Sequence, residues 1–446
     1  MAYEIVAGRT PKQLEKLGLA GTIFLGKNYV SFDSTVSLAN PIYLDVANPH
    51  VILVCGKRGS GKSYTLSVIA EGIVDLPPNI STNIAGLIFD TMGIFWTMKY
   101  PNYRDDALLR EWGLRPKNYS PLVYVPFGLY ENYQSQGVPV DFPFAIKPSE
   151  VSADSWCEIF DLDLISGPGT LIDRTLEAAR EKYGEDFDID ELIECAKQDS
   201  RSSTEEKNIV ENRFQAAKRW GLFKKEGTPI TELFRGGTTT ILDLSAYAQL
   251  EGGDRIKALV IGLVCKKILE QRMAARKAEE IKLISEGGFI FGEEAAVTEA
   301  KAPLVWIFID EAHEFLPKET EKQTLASEPL IKILREGRQP GISLVLATQQ
   351  PGKIHTDVMT QADIVISHRL TAKIDIEALN LIAATYLPYA IQKYIDELPP
   401  DKGTAVLIDD KLERIFPMRV RPKMSWHGGE DPTAIRETLR AYGLAL

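Results

Sequence analysis

The sequence predicts an α/β fold: a mainly parallel sheet covered by helices, interrupted by an all-helical insertion and preceded by a short N-terminal β segment. Three observations predict it. Short apolar runs rich in β-branched residues recur along the chain, as strands covered on both faces require. Helical stretches follow several of these runs, the alternation from which parallel sheets are built. Between residues 149 and 235 the strand pattern stops and helical spacing takes over.

Taken in chain order, Gly21–Phe32 and Ile42–Val46 supply the strands of the N-terminal segment, residues 1–45. The first part of the core, 46–148, holds the strands Val51–Gly56 and Ala85–Asp90, with a helix over Lys62–Val74. The insertion, 149–235, reads as helices over Ile172–Tyr183, Ile189–Lys197 and Thr204–Trp220; its acidic run Glu185–Glu191 reads as a solvated helix start. The second part of the core with a C-terminal extension, 236–446, holds strands over Thr238–Leu244, Leu304–Asp310, Ser343–Thr348 and Asp363–Leu370. Its helices fall over Asp254–Ile281, Ser327–Arg335 and Asp375–Ala384, and Ser285–Lys301, rich in Gly, Ala and Glu, reads as a surface loop.

With 446 residues, 44% of them hydrophobic, the chain can bury a substantial core. Lys plus Arg is 51 against 62 for Asp plus Glu, a net charge of −11. That excludes a basic coat, so any nucleic-acid contact has to come from a local positive groove or pore. Four widely spaced cysteines, Cys55, Cys157, Cys195 and Cys265, include no CxxC pair and read as small core residues. No basic n-region precedes an apolar run at the N-terminus, and the apolar stretches are strand-sized. The expectation is a cytoplasmic protein without a membrane span.

Gly56-Lys57-Arg58-Gly59-Ser60-Gly61-Lys62-Ser63 matches G-x-x-x-x-G-K-[ST] and lies between an expected strand and an expected helix. Glycines let backbone N–H groups turn inward onto phosphate oxygens, and the helix N-terminus favours the same charge. Lys62 would reach the β- and γ-phosphates and Ser63 would ligate Mg²⁺, with Gly56 to Tyr64 forming the ATP cradle. The alternative is a plain glycine turn. Hydrolysis also needs an acid at the end of a neighbouring strand, and Leu304–Glu311 ends on a carboxylate pair. Asp310 is placed to hold Mg²⁺ and Glu311 to polarise the attacking water; the alternative is a helix N-cap. Gln349, in Thr348-Gln349-Gln350 at the end of the next strand, would contact the γ-phosphate or the water, or is simply a polar strand end. His313 is left out of catalysis as a lone histidine, and the other histidines lack metal-ligand spacing.

Gly56–Leu66, Leu87–Gly93, Trp306–Leu316, Leu334–Gln350, Ile366–Thr371 and Ser425–Pro432 follow one another in an order that resembles the HerA-type ATPases of the HerA–FtsK superfamily of ring-forming DNA translocases. The resemblance implies a RecA-like P-loop core and a homohexamer that hydrolyses ATP at subunit interfaces. It implies a trans-acting arginine as well, with Arg338 the first choice and Arg335 the second, the alternative for either being a surface salt bridge. Arg369 is a further candidate for nucleotide contact. Asp90 resembles the family acid after the second core strand, although Thr91-Met92 departs from the usual Pro-His. With the P-loop beginning at Gly56, the expectation from the resemblance is that the family's N-terminal barrel is reduced or missing.

The function so implied is an ATP-driven translocase or helicase on double-stranded DNA, with a nuclease or defence effector as partner. The alternatives are a protein-moving motor of the type IV secretion kind and a nucleotide-switched ring scaffold. In RecA-like rings the loops after the strand ending on Asp310 (the Walker-B strand) and after the strand ending on Thr348 (the sensor strand) face the channel. Here they carry Lys318 and Lys322 in one and Lys353 in the other, the candidate DNA contacts unless they are ordinary solvated charges.

Overall fold

A computed structural model describes residues 3–32, 35–285, 302–383 and 391–429. Thirteen strands form one sheet: β1 Ile5–Ala7, β2 Thr22–Phe32, β3 Thr35–Asp45, β4 Val51–Cys55, β5 Ile84–Asp90, β6 Leu122–Pro126, β7 Phe142–Phe144, β8 Thr239–Asp243, β9 Leu304–Ile309, β10 Ile342–Thr348, β11 Ile364–Ser367, β12 Thr404–Asp409 and β13 Arg414–Val420. Their order is β1-β3-β2-β13-β12-β11-β4-β10-β9-β5-β8-β6-β7. From β11 to β7 every pairing is parallel, whereas β11-β12, β12-β13, β13-β2 and β2-β3 are antiparallel. The fold class is the expected mainly parallel α/β sheet.

Side chains alternate across a strand, so each central strand feeds two cores. Leu53, Phe89, Ile307 and Leu346 face one, which is closed by Trp156 and Phe214 of the insertion and by Ile256 and Val264 of the helix Gly253–Ser285. Ile52, Ile88, Phe308 and Val345 face the other, which is closed by Leu66, Val68 and Ile69 of the helix Lys62–Val74. Burial on both faces explains why these strands read as continuous apolar runs. No helix among the described residues is long and apolar enough to cross a membrane.

The insertion is helical, with helices over Ala153–Phe160, Gly167–Tyr183, Ile189–Gln198 and Thr204–Lys218. The acidic run is the start of the third of these, where Asp188 and Glu191 form a capping box. The remaining helix expectations hold to within a few residues: Lys62–Val74, Gly253–Ser285, Ser327–Glu336 and Lys373–Ala383. The loop expected after Ser285 and the chain beyond Gly429 lie outside the described residues. The N-terminal strands do not stand apart, because β2 pairs with β13 and so continues the core sheet. At the edge where these strands meet the core, Arg9 Nη2 lies 2.7 Å from Asp45 Oδ1. His50 bridges Asp363 (Nδ1, 2.7 Å) and Asp45 (Nε2, 3.3 Å), and Lys411 Nζ lies 3.4 Å from Asp363. All four cysteines are buried and free.

Candidate functional site

Strands β4, β5, β9 and β10 run parallel, so their C-terminal ends share one sheet edge, where ligands bind in open α/β folds. The P-loop leaves β4 at this edge. Gly59 and Gly61 take φ of 73° and 109°, conformations that favour glycine. Gly61 is the N-cap of the helix Lys62–Val74 and offers no side-chain cap, which leaves the first N–H groups of the helix available to an anion. A Cβ on Gly56 would come within 2.4 Å of Ser60 Oγ and 2.7 Å of His368 Cβ. Ser60 Oγ is buried without a hydrogen-bond partner, a polar atom left for a ligand.

Asp310 and Glu311 follow β9 at the same edge. Ser63 Oγ donates to Asp310 Oδ2, so the two expected metal-holding groups are in contact. No cluster of three or more His, Cys, Asp or Glu among the described residues is able to hold a metal by itself. A Mg²⁺ at Ser63 and Asp310 would therefore draw most of its ligands from phosphate and water, the usual pattern for this ion. Glu311 sits at φ 50°, an uncommon left-handed position for a residue with a side chain. Burial, then the charge of Asp310, pushes its carboxyl up to about 6. Oε2 of Glu311 is buried and unpartnered.

Lys62 is buried beside this pair and its charge acts on Glu311. Lys57 and Arg58 are exposed at the tip of the loop, and Lys57 N donates to Arg369 O at 3.1 Å. The Arg369 side chain turns to Leu398 O at 3.4 Å, so its backbone braces the P-loop. Gln349 lies half-buried just past β10, while its neighbour Gln350 reaches His313. Tyr64 turns away from the cradle: its OH accepts from Lys423 N and its ring packs edge-on to His427 at 5.1 Å. Asp90 is buried, and its carboxylate accepts from the N–H groups of Gly93 (2.7 Å) and Phe95 (2.8 Å). Burial and the neighbouring Asp243 both raise it.

The two arginine candidates part company. Arg335 Nε donates to Asp357 Oδ2 at 2.7 Å, the salt-bridge alternative. Arg338 is exposed, with no side-chain partner among the described residues. It precedes the start of β10, whose far end meets the P-loop strand, so it sits about 20 Å of strand away from its own cradle.

The loops after β9 and β10 prove to be one ribbon. Pro317 and Ile354 form an antiparallel bridge, and Lys318 N donates to Lys353 O at 3.1 Å. Lys322 and Lys353 are exposed and Lys318 half-buried. The ribbon also carries Glu319, which accepts from Thr356 N.

Two histidines that the sequence reading left outside the site lie against it. His368, buried behind the P-loop, lies 2.8 Å from Thr65 Oγ1 through Nε2 and 2.9 Å from Thr404 O through Nδ1. Burial holds it down to about 4, so it is a neutral ring that donates to the carbonyl and accepts from Thr65. His313 lies between Glu311 and the sensor strand, 3.5 Å from Glu311 Oε2 and 3.2 Å from Thr348 Oγ1.

Residues 33–268, just over half of the chain, match the family model described as the central domain of helicase HerA, and residues 236–386 match the model described as zonular occludens toxin (Zot). The chain is 26% identical over 223 residues to the "Probable DNA double-strand break repair helicase HerA" of Methanocaldococcus jannaschii, covering 47% of this chain and 41% of that protein. It is 25% identical over 215 residues to the DNA double-strand break repair helicase HerA of Pyrococcus furiosus, covering 44% of this chain and 36% of that one. These matches thus span less than half the length of either relative. Among solved structures, VirB4 of Thermoanaerobacter pseudethanolicus shares the fold, with a TM-score of 0.56, 12% identity, and 90% of this chain and 96% of that chain covered.

Proposed function

The chain belongs to the family of the HerA central domain, and from that premise we propose that it is an ATP-hydrolysing hexameric motor that translocates along or unwinds double-stranded DNA. The observation that carries the reading is the meeting of the P-loop helix start with Asp310 and Glu311 at one sheet edge. The residues present fit a magnesium nucleotide. Ser63 and Asp310 would hold the ion, which when bound neutralises phosphate charge and fixes the phosphate chain. Lys62 and the loop amides would bind the phosphates, Glu311 would be the carboxylate that orients and polarises water, and Gln349 would border the same space. The free guanidinium of Arg338, distant from its own cradle, supports a role in the site of an adjacent subunit; Arg335 is already paired.

The ribbon with Lys318, Lys322 and Lys353 supports the DNA reading, because a lysine repeated around a ring gives a band of charge that grips phosphate without reading bases. A nuclease or other effector is the partner class that fits such a motor. The test is ATPase turnover with and without duplex DNA over a series of salt concentrations. Stimulation should appear at low salt and fall steeply as salt is added. Lys353→Glu and Lys318→Glu should each lower the ratio of stimulated to basal turnover severalfold. A protein that neither binds duplex DNA nor responds to it would favour the protein-moving alternative.

A further inference from the structure

The carboxylate proposed to act on water is held by the backbone N–H of Gln349, but one of its oxygens has no hydrogen-bond partner in this structure. Glu311 Oε2 is buried without a hydrogen-bond partner, and His313 Nδ1 lies 3.5 Å from it. The same nitrogen is 3.2 Å from Thr348 Oγ1, at the end of the sensor strand. On the other side of the ring, Nε2 is 3.5 Å from the amide nitrogen of Gln350. An amide NH2 only donates, so Nε2 must accept, and the ring proton belongs on Nδ1, facing Thr348 and Glu311. Burial, with Lys353 and Lys62 nearby, holds His313 below the ordinary histidine range, which agrees with a neutral ring.

The ring is also tied to both arms of the lysine ribbon. It belongs to the short turn Ala312–Glu314, which leads directly into Pro317 and Lys318. Through Gln350 it meets the second arm: Gln350 N donates to Thr348 Oγ1 (3.0 Å), Lys353 N to Gln350 O (2.9 Å) and Lys318 N to Lys353 O (3.1 Å). A load on either lysine therefore reaches His313 through one covalent path and one hydrogen-bonded path. A neutral N–H beside a carboxylate oxygen, close but not hydrogen-bonded to it, suits a contact that has to break and re-form, since it lacks the strength of a buried ion pair.

We propose that His313 is a positioning residue that retains Glu311 in a withdrawn position and releases it when the ribbon bearing Lys318 and Lys353 moves, linking occupancy of the ribbon to water activation. The inference deepens the ATPase reading above and rests on it. It requires only that something move the ribbon, and DNA is the mover on that reading.

The test compares wild type, His313→Ala, His313→Gln, Gln350→Ala and the double variant His313→Ala/Gln350→Ala in the full chain. Basal kcat and KM for ATP are measured separately, then turnover with duplex DNA. Loss of the retaining contact should raise basal kcat by about fivefold or more in His313→Ala while KM stays within about twofold, and a fall in kcat would overturn the proposal. His313→Gln, which keeps an N–H donor, should move kcat back toward wild type. Because the Gln350 side chain acts on Glu311 only through His313, the double variant should match His313→Ala rather than multiply the two effects. In His313→Ala the DNA-stimulated turnover should approach the basal rate.

A kcat within twofold of wild type in His313→Ala, a KM change equal to the kcat change, or independent effects of His313 and Gln350 would each overturn the proposal. Should wild type show no response to DNA while the kcat pattern and the non-additivity hold, the polymer reading fails and the positioning role stands. Should wild type hydrolyse no ATP, both fail together.

Discussion

On the proposed reading Lys62 binds phosphate and Glu311 acts on water, so their loss should look different. Lys62→Ala removes the charge that meets the phosphates and should abolish nucleotide binding measured with a fluorescent ATP analogue. Glu311→Gln keeps the shape and removes the base, so binding should persist while turnover falls by about 10²–10⁴-fold. Near-normal turnover of Glu311→Gln would remove that residue from the reaction. Both residues were legible because each lies in a short local motif with a strand beside it. His313 was not, since its partners Thr348 and Gln350 are 35 and 37 residues further along the chain and only the β9-β10 pairing brings them together. His368 and Thr65 are 303 residues apart, and a lone histidine has no spacing to betray such a partner. The ranking of Arg338 over Arg335 came from position in the motif; the ion pair of Arg335 with Asp357 joins two helices and leaves no trace in sequence.

Among the elements, the six central strands were readable because burial on both faces turns them into apolar runs. Strand β13 escaped: its burial alternates, and Arg414, Pro417 and Arg419 interrupt it. β6, β7 and β12 were missed as well, although β12 is buried throughout. The junction of the N-terminal strands with the core was beyond reach, because it rests on Arg9, Asp45, His50, Asp363 and Lys411 meeting across the fold. This junction has a pH signature. Burial alone would lower His50, but its hydrogen bonds to Asp363 and Asp45 outweigh that and raise it above the ordinary 6.5. Burial alone would raise Asp45 and Asp363, yet their hydrogen bonds and neighbouring cations lower both below the ordinary 3.8. The stability that His50 adds is thus full below its unfolded value and is lost as pH rises through its raised folded value; that of the two carboxylates is present above their unfolded value and lost as pH falls through their lowered one. The contribution should be greatest between those limits. His50→Gln should cost about 3 kcal/mol near pH 6 and flatten the alkaline decline, read by urea unfolding at a series of pH values. Equal alkaline slopes in the two proteins would show that the cluster does not titrate as described.

For the whole molecule, the decisive question is whether a site is completed by a second copy of the chain. Subunits carrying Arg338→Ala and subunits carrying Lys62→Ala should each be inactive alone, with the arginine variant reduced by about 10³-fold or more if it supplies the trans charge. Rings mixed from the two should recover part of the turnover, wherever an intact arginine meets an intact P-loop. Mixed rings that form yet recover nothing would count against Arg338. A net charge of −11 sets the other expectation at this scale, that duplex DNA, if bound, is held by the lysine ribbon and repelled elsewhere. The sheet itself has a bearing on how the chain is made. β2 and β3 are synthesised long before the neighbour that covers the other edge of β2, which is β13, the last in sequence among the described strands. Until residues 414–420 arrive, β2 presents bare N–H and C=O groups, the kind of edge on which nascent chains join one another. That edge therefore stays open while every strand of the sheet between β2 and β13 in sequence is being synthesised, a long interval in which it is able to recruit the wrong partner.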